Sequence, residues 1–360
     1  MYKRLSLPLF ALFITSACST ASITETTISD TALPPDTEAV TQAPEAVSET
    51  LIEAPLEITE VELDPACMGK DAAFLPFADT LHVYCDETYI YIEADSLADH
   101  EMMVGITAWN QQVPIPQDFH EGNAWRIPIN PTIASQSTPT TGQGPIAVAI
   151  NGVMVYNPTQ QDGIYDANRD PYLIGELDAC GGHSGRADDY HYHIAPVCLL
   201  EQLSNEIPYD QPIAYALDGY PIYGFYNPDG SLPQDLDECS GEYDEAGNYH
   251  YHASPEYPYV NGCFSGEVDL SLQPATHPIR PAGEPIQVLI TAFYEDENGW
   301  THLEYDYQGS THSINYTLNE EGCYLFQFVD EVGTGGEAHS ESYCGSLGPD
   351  KKPPPPPPGG

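Results

Sequence analysis

Residues 177–193 read LDACGGHSGRADDYHYH, and residues 236–252 read LDECSGEYDEAGNYHYH. In both stretches a Leu-Asp pair leads into a cysteine, Cys180 or Cys239, eleven residues before the first histidine of a Tyr-His-Tyr-His run. Each run is followed by a proline, Pro196 or Pro255, and by a closing cysteine, Cys198 or Cys263. A shared order of residues at matched spacing marks an internal duplication, with repeats over 177–198 and 236–263.

Extended chain sends alternate side chains to opposite faces. His191 and His193 therefore share one face and Tyr190 and Tyr192 the other, and the same holds for His250 and His252 against Tyr249 and Tyr251. Two such strands set together by a pseudo-twofold repeat would converge four imidazoles on one metal site, with four aromatic rings packing the core behind them. Neutral imidazoles without a competing base suit copper or zinc. Asp178 and Asp237 recur at the same offset and are candidates to orient the imidazole N–H groups from behind. His183 is a candidate fifth ligand or general acid/base; the second stretch carries no histidine in its place, only Tyr243 and its neighbours. Against this stands a plainer reading, in which His-x-His pairs are half-exposed strand residues and the tyrosines are ordinary sheet formers.

The cysteines frame the fold. Setting aside Cys18, the remaining eight fall as sequence neighbours, 67/85, 180/198, 239/263 and 323/344, which predicts four local disulfides and an oxidising compartment. No closely spaced Cys-x-x-Cys pair offers a thiolate metal site. Short apolar or alternating runs broken by Gly, Pro, Asn and Asp read as strands: Leu81 to Cys85, Tyr89 to Ala94, Met102 to Ala108, Ile146 to Tyr156 and Ile213 to Phe225. Only Pro196 to Leu203 reads as a helix. The fold class is therefore mainly β, a disulfide-stapled duplicated β-rich domain over 61–275. Pro274 to Pro285 reads as a boundary. Beyond it, over 276–348, four runs (Pro285 to Tyr294, Thr301 to Tyr307, Ser313 to Leu318, Cys323 to Val329) predict a small C-terminal antiparallel β module.

Outward from this frame, Lys3 and Arg4, the apolar run Leu5 to Ile14 and small residues before Cys18 read as a lipoprotein-type signal peptide over 1–18. A lipidated Cys18 would place the protein in the cell envelope, as an outer-membrane or surface lipoprotein; the alternative is ordinary secretion. Residues 19–60, rich in Thr, Ser, Ala, Pro and Glu, read as a disordered tether, and 349–360 as an extended proline-rich tail. Fifty-five acids against nine bases give a net charge of −46, which excludes nucleic acid as a partner.

The stretches Ala147 to Tyr156 (AVAINGVMVY), Asp178 to Cys198, Tyr215 to Gly224 (YALDGYPIYG) and Leu236 to Gly266 together resemble the bacterial family named for its YHYH motif. The resemblance implies an exported protein and brings no assigned activity with it. Within it, Asp218-Gly219 and Asn151-Gly152 read as tight turns, with Asp218 an alternative carboxylate at the rim of the site. Three functions follow: an exported, lipid-anchored metal-binding protein; a metal-dependent hydrolase or oxidase of the envelope; and a calcium-dependent adhesion or carbohydrate-binding module, with Asp162 to Asp170 (DGIYDANRD) supplying oxygen ligands.

Overall fold

A computed structural model describes residues 63–345 apart from 141–143, 160–162, 205–210, 228 and 334–336. The expected signal peptide with Cys18, the tether and the proline-rich tail lie outside the described residues. The described chain is mainly β, with all four expected disulfides formed: Cys67–Cys85, Cys180–Cys198, Cys239–Cys263 and Cys323–Cys344.

In chain order, β1 (Leu81–Cys85) and β2 (Tyr89–Ala94) form a hairpin that β4 (Trp125–Pro128) extends, while β3 (Ala108–Trp109) pairs with a later strand. The apolar run Met102 to Ala108, expected as a strand, is irregular up to Ala108. Met103 takes a left-handed φ of 69°, and its N–H goes to the Asp178 carboxylate instead of to a ladder. β5 (Ile133–Pro139) precedes the duplicated part, which supplies β6 (Ala147–Ala149), β7 (Met154–Val155), β8 (Gly182–Ser184), β9 (Tyr190–Tyr192), β10 (Ala214–Ala216), β11 (Pro221–Tyr223), β12 (Gly241–Tyr243) and β13 (Tyr249–His252). Helices are short: α1 (Pro171–Ile174) lies between β7 and β8, and α2 (Val197–Ser204) follows the first motif.

These eight strands make one sheet in the order β12-β13-β11-β10-β6-β7-β9-β8. The order is a palindrome. Each half consists of a hairpin (β6–β7 or β10–β11), a motif strand added parallel to the hairpin's second strand (β9 or β13), and an antiparallel outer strand (β8 or β12). The halves join where β6 meets β10, with Ala147 opposite Ala216, Val148 opposite Tyr215 and Ala149 opposite Ala214. Val148 and Tyr215 hold the same place in their two hairpins, so their facing each other is the mark of a local twofold. The repeat is thus longer than the expected 177–198 and 236–263, because the AVAINGVMVY and AYALDGYPIY hairpins belong to it. Alanines in the central strands, all buried, let both faces of the sheet be covered closely.

After β14 (Cys263–Gly266), which pairs with β5, and β15 (Ile286–Gln287), which pairs with β3, a five-stranded antiparallel meander ends the described chain: β16 (Leu289–Glu295), β17 (Thr301–Tyr307), β18 (Ser310–Leu318), β19 (Cys323–Val329) and β20 (Ala338–Cys344). The last strand lies outside the four expected runs. It forms as an edge strand through main-chain pairing and through Cys344, which sits directly opposite Cys323. Ile290, Leu303, Ile314 and Phe326 of the meander share a buried apolar cluster with the eight-stranded sheet. The Tyr316 hydroxyl donates to the Pro114 carbonyl at 2.5 Å. Arg280, in the Pro-rich segment before the meander, is buried, donates bidentately to the Asp188 carboxylate at 2.6 and 2.9 Å, and lies over the Phe326 ring.

Candidate metal centres

The four motif histidines do not converge on one point. β9 and β13 lie at opposite flanks of the sheet with four strands between them, roughly 24 Å apart at the usual strand spacing. The shared four-imidazole site is therefore replaced by two separate clusters, one per copy. The cause is topological: the twofold runs between the hairpins, so it drives the motif strands outward.

In the first cluster His183 on β8 stands opposite His191 on β9, and His193 follows at the strand end. His193 Nε2 lies 3.1 Å from both His183 Nε2 and His191 Nε2, with all three rings buried. Metal–nitrogen bonds of about 2.0–2.1 Å at tetrahedral angles would set ligand nitrogens roughly 3.3–3.4 Å apart. In the second cluster Glu242 on β12 stands opposite His250 on β13. His252 Nε2 lies 3.1 Å from His250 Nε2 and 3.3 Å from Glu242 Oε1, and His250 Nε2 is 3.7 Å from the same oxygen. Glu242 is therefore the counterpart of His183, a correction to the reading that gave His183 no equivalent. The signal was present: Asp178 to Asp237, Cys180 to Cys239 and His183 to Glu242 are all separated by 59 residues.

The far side of each ring fixes its tautomer. His193 Nδ1 faces the Asn157 carbonyl at 2.8 Å, and His191 Nδ1 faces the Asp189 carbonyl at 2.8 Å with the Asp189 carboxylate at 3.4 Å. A carbonyl only accepts, so both Nδ1 atoms carry the hydrogen and both Nε2 atoms present lone pairs. Those two lone pairs then face each other at 3.1 Å, an arrangement that needs a proton or a cation between them. Burial disfavours the proton, holding the His183 imidazole well below its usual range and His193 at about 3. In the second copy His252 Nδ1 donates to the Gly224 carbonyl at 3.0 Å, which turns its Nε2 lone pair toward the Glu242 carboxylate; burial again lowers the imidazole. Asn157 and Gly224 hold equivalent places after the two hairpins, as do Tyr156 and Tyr223, whose rings stand 4.4 Å from His191 and 5.3 Å from His250.

Asp178 and Asp237, expected behind the imidazoles, and Asp218, expected at the rim of the site, all serve the tyrosines instead. The Asp178 carboxylate accepts from the Tyr190 hydroxyl at 2.7 Å and from the N–H groups of Cys180 and Gly182. Asp237 repeats this with Tyr249 at 2.7 Å, Cys239 and Gly241. Strand alternation explains the difference, since the carboxylates lie on the tyrosine face of the motif. A Cβ on Gly182 or Gly241 would lie 2.5 or 2.0 Å from the phenol oxygen, so glycine alone leaves room for the tyrosine. Asp218 accepts from the Tyr251 hydroxyl at 2.5 Å and from Gly266 N–H at 2.9 Å. Its equivalent in the first copy is neutral Asn151, whose amide donates to the Tyr192 hydroxyl at 3.0 Å. Half-buried Lys70 answers the extra charge: it donates to the Gly219 and Pro128 carbonyls, and desolvation lowers it to about 8, partly opposed by Asp218.

In the stretch expected to hold calcium, the described acids are engaged by the protein's own groups. Asp166 accepts from Asn168 and pairs with Arg169, while Asp170 caps α1 and accepts from Tyr259.

No curated protein and no solved structure matches the chain. A family model described as YHYH protein matches residues 124–234, taking in the whole first copy and the β10–β11 hairpin of the second and ending before the second motif. This chain therefore carries a domain of the YHYH protein family, and its second copy extends the same architecture beyond the matched segment.

Proposed function

We propose that this chain is an exported metal-binding protein that holds two transition-metal ions, copper or zinc, one in each copy of the duplicated sheet. His183, His191 and His193 are the first ligand set; Glu242, His250 and His252 are the second. The observation that carries the reading is the pair of buried Nε2 lone pairs of His191 and His193, 3.1 Å apart, with both Nδ1 atoms committed to carbonyls. Four disulfides support export, and the N-terminal reading supports anchoring through a lipidated Cys18.

Metal analysis of protein purified without chelator or affinity tag is the test. Two ions per chain are expected, with His193→Ala and His252→Ala each removing one. Absence of stoichiometric metal, together with unchanged affinity for added metal in both variants, would overturn the reading.

A metal-dependent hydrolase or oxidase is the second reading, and the ligand count favours it. Each cluster offers three protein ligands, the number that leaves a coordination position for water or substrate. Azide added to the cobalt-loaded protein should perturb the visible spectrum if that position is open. An unperturbed spectrum at both sites would restrict the metals to a structural role.

A further inference from the structure

The two clusters share a scaffold and differ in one ligand, and that difference bears on which ion each would keep. The first set is three neutral nitrogens, buried together. A divalent ion there would leave two positive charges on the ligand set, whereas cuprous copper would leave one, and uncompensated charge is costly to hold away from water. In the second set an imidazole is replaced by a carboxylate. Glu242 Oε1 lies 3.3 Å from His252 Nε2, and its side chain keeps 23% of its exposure. The carboxylate cancels one charge, and its oxygen suits a harder divalent ion better than cuprous copper. The outer support differs in the same sense. His191 Nδ1 and His193 Nδ1 are both tied to carbonyls, which fixes two of the three buried nitrogens in place, while Glu242 reaches its cluster from the partly exposed outer strand β12.

Resting on the two-site reading above, we infer that the copies are tuned to different ions, with cuprous copper at His183/His191/His193 and a divalent ion, zinc, at Glu242/His250/His252. Residues 183 and 242 would be the specificity-determining pair.

The experiment offers the full chain cuprous copper and Zn²⁺ together, each buffered by a chelator under mild non-thiol reductant that leaves the disulfides intact, and counts bound metals. Wild type should hold one copper and one zinc. His193→Ala should lose only the copper, and His252→Ala only the zinc. Glu242→His should convert the count to two copper, and His183→Glu to two zinc; if one exchange variant fails to fold, the other and the two alanine variants still decide. Two ions per chain with one shared order of preference at both sites, unchanged by either exchange, would overturn this inference and leave the metal-binding reading standing. No bound ion of either kind would overturn both.

Discussion

The first and second copies are built by the same four-strand plan, yet they meet their surroundings differently. In the first, the loop between β8 and β9 is anchored from outside. Asp188, two residues before Tyr190, is buried against Arg280 and accepts from Val113 N–H and the Gln112 amide. In the second, the corresponding loop carries Asp244, which turns back on Asn248 of the same loop. Conversely, the second hairpin holds charged Asp218 where the first holds neutral Asn151, and recruits Lys70 beneath it. Duplication thus preserved the strand pairing and the ligand geometry, while the supporting polar contacts diverged with whatever chain packs against each copy.

That contrast can be broken in stages. The largest effect is expected from Arg280→Met, which strands the buried Asp188 carboxylate; removal of one partner of such a pair costs about 3–5 kcal/mol. Urea unfolding should read this loss, and metal affinity should fall at the first site while the second is unchanged. Equal weakening at both sites would mean that the anchor serves the whole sheet and not one copy.

Acid should act next. In the metal-free protein, burial depresses the His183, His193 and His252 imidazoles. The unfolded chain therefore binds protons that the folded chain refuses, and stability is lost as pH falls below the ordinary histidine range near 6.5. Each fully depressed imidazole contributes a slope of up to about 1.4 kcal/mol per pH unit, and for His193 this persists down to about 3. His193→Gln should flatten the pH dependence of the unfolding midpoint between 6.5 and 4 more than His252→Gln does. The reverse order would contradict the stronger depression of the His193 imidazole relative to His252.

The tyrosines offer a finer comparison. Tyr251→Phe removes a hydrogen bond to a carboxylate besides one from Ser265 N–H, and Tyr192→Phe removes one from a neutral amide besides one with His100 Nε2; the carboxylate bond should be worth about 1.5–3 kcal/mol and the amide bond about 0.5–1.5 kcal/mol. Matched denaturant titrations decide it, and equal costs would show that the Asn151 to Asp218 exchange carries no energetic consequence. The smallest contrast is expected at Gly182→Ala and Gly241→Ala. Both crowd an equivalent phenol, and their destabilisation should agree within about 1 kcal/mol inside the usual overpacking range.

Much of the local structure was legible. β1, β2, β17 and β19 begin and end where the expected runs do, and the cysteine spacing anticipates every disulfide formed. The motif tyrosines are buried behind the histidines as alternation requires. β20 was not legible, because an edge strand held by main-chain pairing and a disulfide has no apolar pattern to reveal it. Glu242 was hidden for a different reason: a carboxylate stands where the first copy has a histidine, and only the constant offset of 59 residues aligns the two.

By itself, the sequence determined that there are two equivalent motifs and which side chains share a face within each, and its cysteine spacing pointed to the four local disulfides that form. All of these depend on local geometry, alternation along one strand or loops closed over 18 to 24 residues, where the chain has little freedom. Only the tertiary structure decided how the copies meet. Strand pairing is set by which hairpin edges find each other across the chain, and joining through Ala147–Ala149 and Ala214–Ala216 places the motifs at opposite flanks. One four-histidine site thereby becomes two three-ligand sites.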